Sequence, residues 1–158
     1  MATLGYLTDS GLLIRHTADL EGHEQPVRLV YFAPEFAVWL SAELRGRKRD
    51  RARDLSPLEQ VEQALYDFVV GRPLAYGQDC RKLDPLTADI WELKTEDVRI
   101  VGWAPRPACF IAVCGCMKKD LSKFKDYAPL IQAARDFREA LDLDPPKAIR
   151  GVALNEVF

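Results

Sequence analysis

The chain has 158 residues, 48% of them hydrophobic and 29% charged, with a formal net charge of −2. That length and apolar content are enough to bury one hydrophobic core, so a single domain is expected and whole-chain disorder is excluded. No run reaches the roughly 18 apolar residues of a membrane span, and Asp9, Ser10 and Gly11 break up the start that a secretory signal would need, so a soluble cytoplasmic protein is expected.

Positions 5–15 carry apolar residues interrupted by Thr8-Asp9-Ser10-Gly11, a turn cluster. Segments 11–17 and 27–33 suit a hairpin across 21–26, which would make 1–26 an N-terminal extension added to a main sheet. The run Val27-Arg28-Leu29-Val30-Tyr31-Phe32 is rich in β-branched and aromatic residues and reads as the first main strand. Pro34 and Glu35 then open a helix whose core face is Phe36, Trp39 or Leu40, and Leu44. It gives way to a mostly basic stretch at 47–53, either a solvated helix end or a nucleic-acid contact.

Ser56-Pro57-Leu58-Glu59 is a capping box with proline at the first helical position, and Leu58, Val61, Leu65 and Phe68 follow on one face. Gly71-Arg72-Pro73 stops this helix, which pairs with the preceding one as a helical hairpin. Segments 90–94, 98–104 and 108–114 are three strands whose short connections require an antiparallel meander. A last amphipathic helix covers 127–141 and ends at Asp144-Pro145-Pro146. The expected fold class is therefore α+β: a helical hairpin on a mainly antiparallel twisted sheet, ordered β-α-α-β-β-β, plus a C-terminal helix. The main domain spans 27–143 and a tail spans 144–158.

Three of the four cysteines, Cys109, Cys114 and Cys116, crowd into one apolar segment, which with Cys80 suggests reduced thiols rather than a disulfide framework. Cys114-Gly115-Cys116 lacks the spacing of a zinc pair even with His16 or His23 counted, so no metal and no cofactor is expected.

The order of Trp91-Glu92-Leu93-Lys94, Val98-Arg99-Ile100-Val101 and Cys114-Gly115-Cys116-Met117-Lys118-Lys119, followed by a helix with Ala133, Ala134 and Arg135, resembles the phage-derived HigB-like branch of the RelE toxin superfamily. The resemblance covers 27–141. It departs from the family pattern in Lys94, where arginine is usual, and in the apolar Cys114–Met117 stretch before the lysine pair, where an aromatic is usual. The resemblance implies the toxin of a type II toxin-antitoxin system: a ribosome-dependent endoribonuclease that cuts mRNA in the A site and inhibits translation. It also implies a cognate antitoxin, typically a helix-turn-helix protein, as partner.

Attack of a 2′-hydroxyl on the adjacent phosphate needs a base, a stabiliser of the phosphorane charge and a proton for the leaving 5′-oxygen, and no step demands metal. On the resemblance, Arg99 is the expected charge stabiliser, with Lys94 beside it, and Lys118 or Lys119 transfers the proton or binds phosphate. Lys123, Lys125, Tyr127 and Arg106 are the expected supporting RNA contacts, and Glu92 is expected to be structural. The plainer readings stand beside these. Arg99 would pair with Glu92 or Glu96, Lys118-Lys119-Asp120 would be a solvated loop, and Trp91 and Trp103 would pack the sheet. The alternative function is non-catalytic binding on the same scaffold: a ParE-like gyrase inhibitor, a degenerate toxin, or a phage accessory protein that binds a host protein.

Overall fold

The computed structural model describes residues 1–48 and 54–158. Most of the basic stretch expected at 47–53 thus lies outside the described residues, Arg47 and Lys48 excepted. Among the described residues, five α-helices and six strands form three layers, with a mixed sheet between helices on both faces.

The first helix, α1 (Leu4–Asp9), was not legible in the sequence because its six residues offer too few turns for a periodic signal. Its cap is visible in retrospect: the Thr3 hydroxyl accepts the Tyr6 amide at 3.2 Å, and Leu4 and Leu7 turn inward. Strand β1 (Ile14–His16) pairs antiparallel with β2 (Leu29–Phe32), which is the hairpin expected at the sheet edge, with a shorter first arm. Helix α2 (Pro34–Trp39) continues as a π-helical turn, Leu40–Leu44.

Helix α3 (Pro57–Val69) starts at the capping box, where the Ser56 hydroxyl accepts the Glu59 amide at 3.3 Å and Glu59 accepts the Ser56 amide at 2.7 Å. It stops where Gly71 adopts φ of 84°, a left-handed geometry that favours glycine. Val61, Leu65 and Phe68 are fully buried, each contributing about 1.5–3 kcal/mol of burial free energy.

The three expected strands are β4 (Trp91–Lys94), β5 (Val98–Trp103) and β6 (Cys109–Met117). An additional short strand, β3 (Cys80–Lys82), pairs antiparallel with β4. The sheet order is β1-β2-β6-β5-β4-β3, and every pairing is antiparallel except β2 with β6. A bulge between Val101 and Gly102 shifts the register against β6.

The pleat sorts the side chains. Phe110 and Gly115 point toward α2 and α3, where Phe68 meets Phe110 edge-on at 6.3 Å and Trp39 lies over Gly115. Trp103 and Cys114 point toward α4 (Ala128–Ala140), where Trp103 meets Phe137 at 6.2 Å and the Cys114 thiol donates to the Leu130 carbonyl at 3.7 Å. Trp91 and Trp103 are both fully buried, so their role is packing.

Both ends of the chain pack into the same core as residues 27–143. Met1 and Ala2 bond to Asp142, and Leu7 and Leu13 are buried. The tail crosses the domain, with Ile149 bonded to Ala104 and Val157 to Ala108, and it ends in α5 (Leu154–Val157). Phe158 then packs against Phe68, Trp91 and Phe110. Arg28, only 8% exposed, donates to the backbone oxygens of Phe158, Phe68 and Arg72, and so ties tail, helix and first strand together.

Candidate functional site

The site lies at one end of the sheet, on the face toward α4. Lys94 sits opposite Arg99, and Arg99 opposite Cys116, while Glu92 sits opposite both Arg81 and Val101. Directly paired residues project to the same side, so Arg81, Glu92, Lys94, Arg99 and Cys116 share one face across four neighbouring strands. The short 3-10 turn before α4, Phe124–Tyr127, adds Tyr127 over this face.

At the centre is Glu92, fully buried. Its Oε1 accepts from Arg81 Nε at 2.7 Å, and its Oε2 lies 4.0 Å from Arg99 Nε without a hydrogen bond. A buried carboxylate needs such compensation, because its desolvation costs several kcal/mol, of order, if left alone. The Arg81 guanidinium also stacks over the Tyr127 ring at 5.4 Å. Burial acts to lower the pKa of Arg81, but the hydrogen bond and charge of Glu92 outweigh it and hold the value above the ordinary one. Burial pushes the Tyr127 phenol up, and the neighbouring Glu92 carboxylate adds to the effect.

Lys94 is half-buried, and its Nζ donates to the Gly77 carbonyl at 2.7 Å. Desolvation lowers its pKa first, and repulsion from Arg99, Arg81 and Lys118 lowers it further against the pull of Glu92. Arg99, Arg81 and Lys118 thus all act on Lys94 against the Glu92 carboxylate, and Asp120 adds a second negative charge near Cys116. On the opposite face of the sheet a cavity of about 330 Å³ lies between α3 and β4, with Lys94, Thr95, Gln60 and Leu93 in its wall together with Asp67, Asp79 and Arg72.

The expected residues separate into groups. Arg99 is 7% exposed, and one guanidinium nitrogen donates to the carbonyls of Thr95 at 2.6 Å and Val98 at 3.0 Å, so most of its fork is spent within the protein. Of the plainer alternatives for Arg99, proximity to Glu92 is the one observed, though the residue is buried rather than exposed. Lys118 is exposed and belongs with Lys94, whereas Lys119, also exposed, lines a separate hollow with Arg47, Lys48 and Asp97. The lysine pair is therefore divided between two places. Lys123 and Lys125 are exposed on the segment leading to Tyr127, and Asp126 accepts the Lys123 amide at 2.8 Å. Tyr127 belongs to the cluster but is buried.

Arg106 is not part of the cluster. It precedes β6 while Lys118 follows it, and nine strand residues at 3.3 Å each separate the two by roughly 30 Å. It lines an apolar hollow with Ala2, Leu4, Leu143 and Ile149 instead.

No protein-family model, curated protein or solved structure matches this chain.

Arg81 is the site residue that sequence reasoning missed. Its strand is only three residues long and lies between Asp79 and Asp84-Pro85, which read as loop. Cys80-Arg81-Lys82-Leu83 does not alternate apolar with polar, so no periodic signal marked the strand. Among the described residues, no group of three or more histidine, cysteine or acidic side chains is arranged to hold a metal ion. Burial pushes the Cys114 thiol up to about 12 and the Cys116 thiol up to about 11, which leaves both as poor nucleophiles.

Proposed function

We propose that this chain binds single-stranded RNA at the Arg81–Lys94–Arg99–Lys118 cluster and acts as a RelE/HigB-type endoribonuclease on ribosome-bound mRNA. The observation that carries the reading is the imbalance of charge: Arg81, Lys94, Arg99 and Lys118 lie about the buried Glu92, and Asp120 near Cys116 offsets only part of the positive excess. A phosphodiester supplies the missing charge.

In the proposed reaction the 2′-oxygen bonds to phosphorus and the bond from phosphorus to the 5′-oxygen breaks. This leaves a 2′,3′-cyclic phosphate and a free 5′-hydroxyl. Lys94, with its depressed pKa, is suited to take the 2′-hydroxyl proton in its neutral form. Lys118, which is exposed, binds the phosphate oxygens and donates toward the leaving group. Arg81 and Arg99 supply fixed positive charge from behind, held in place by Glu92 and Tyr127. A helix-turn-helix antitoxin that covers this face is the partner that goes with the reading.

The test is toe-printing on translating ribosomes. Parent protein is expected to cut within A-site codons, and Lys94→Ala and Lys118→Ala are each expected to lose about 100-fold or more in cleavage rate, the scale of an acid–base contribution. Cutting by both variants at the parental rate removes the proposal. A second reading, non-catalytic binding through the same face, is favoured by one observation: Arg99 and Lys94 already donate to the carbonyls of Thr95, Val98 and Gly77. Binding to ribosomes or gyrase without RNA cleavage is its expected result.

A further inference from the structure

On the other side of the β6 end from Lys94 is a hollow of about 260 Å³ lined by Arg47, Lys48, Pro57, Asp97, Met117 and Lys119. Three of these side chains are cationic and one is acidic. The acidic one, Asp97, is fixed by the Gln60 side-chain amide, which donates to its Oδ2 at 2.7 Å, and the three cations outnumber it. Arg47 Nε is buried yet has no hydrogen-bond partner among the described residues. Pro57 and Met117 give the hollow apolar walls, which exclude water and strengthen the attraction between the cations and an anion.

We propose that this hollow is a second phosphate-binding subsite, so that an RNA strand crosses the end of β6 with one phosphate at Lys94 and Lys118 and a nearby one between Arg47, Lys48 and Lys119. The inference rests on the RNA reading above and extends it to where the strand runs. Its structural basis is the divergence of two adjacent lysines. The Lys118 amide donates to the Asp97 carbonyl at 2.7 Å, which pins the turn after β6 to the β4–β5 connection. Lys118 follows the Cys116–Met117 end that pairs with Arg99 and Val98 and acts on Lys94 electrostatically, whereas Lys119 lines the hollow. Two sites on one backbone turn suit a ligand with repeating charge, whereas a single phosphate would use only one of them.

The experiment measures fluorescence anisotropy with 2′-O-methyl oligoribonucleotides of two and eight nucleotides, which lack the attacking hydroxyl, over a salt series. The proteins are the parent, the Lys48→Ala/Lys119→Ala double variant and, because Arg47 is partly buried, a separate Arg47→Met variant, each checked for its parental melting temperature. For the eight-mer, the slope of log K against log salt is expected to weaken by about 0.7 per cation removed, near 1.4 for the double variant. The gap between the eight-mer and dinucleotide slopes is expected to shrink accordingly. If the parent binds the eight-mer and the double variant keeps the parental slope, the subsite is overturned while the RNA reading survives. If the parent binds neither oligonucleotide, both are overturned. Displacement of the eight-mer by a polyglutamate peptide of equal charge at equal concentration overturns the RNA subsite in favour of an acidic protein segment.

Discussion

Glu92 and Arg81 form a one-sided ion pair: the carboxylate is fully buried, while the arginine that compensates it keeps 41% of its side chain exposed. The bond at 2.7 Å links a short edge strand to the interior of the sheet, and Glu92 Oε2 has no hydrogen-bond partner among the described residues. Arg81→Ala removes that compensation and leaves Arg99 Nε, 4.0 Å away, as the nearest cation. The expected loss is roughly 2 kcal/mol, below the 3–5 kcal/mol of a fully buried pair because the exposed side of Arg81 is already solvated. Urea unfolding checks it, and Arg81→Ala combined with Glu92→Gln is expected to recover part of the loss, since the buried group is then neutral.

Lys94 makes both rate and stability depend on pH. Its pKa in the folded chain lies below the ordinary lysine value of 10.5, so in the window beneath 10.5 the unfolded chain binds more protons than the folded one. Stability from this group is therefore expected to rise as pH rises through that window. As a base, Lys94 would also make cleavage speed up over the same range as its neutral form accumulates. Lys94→Arg, which keeps the charge but does not titrate, is expected to flatten the alkaline rise in a pH–rate profile. A rise of unchanged shape in that variant assigns the proton transfer to another group.

Gly102 has no room for a side chain. A Cβ there would stand 1.9 Å from the Ile111 carbonyl oxygen and 2.9 Å from the Phe110 ring. The nearest atom is backbone in the adjacent strand, at the bulge where the register shifts, so it can yield only by breaking the β5–β6 ladder. Gly102→Ala is expected to cost about 3 kcal/mol or more, read as a lowered midpoint in chemical denaturation.

Phe158 holds the tail against the domain through edge contacts with Phe68 and Trp91, both at 5.3 Å, and with Phe110 at 6.1 Å. Phe158→Ala is expected to destabilise by about 3 kcal/mol, the low end for a phenylalanine truncation because the ring is only partly buried. Amide exchange at Ala108 and Ile149 is expected to accelerate together, because the Ala108 amide donates to the Val157 carbonyl and the Ile149 amide to the Ala104 carbonyl.

The local signals determined much of this molecule. Ser56 through Glu59 specified the start of α3, and short polar connections forced β4, β5 and β6 into an antiparallel meander, because both effects act over a few residues. Alternation also placed Glu92 with Lys94, and Arg99 with Val101, on common strand faces. What sequence could not decide was how far each charge is spent inside the protein. The burial of Arg99, the separation of Lys118 from Lys119, the distance to Arg106 and the arrival of Arg81 all depend on strands far apart in the chain meeting in one register. Such register comes from packing both faces of the sheet at once, with α2, α3 and Phe158 on one side and α4 on the other, and no single segment carries that information.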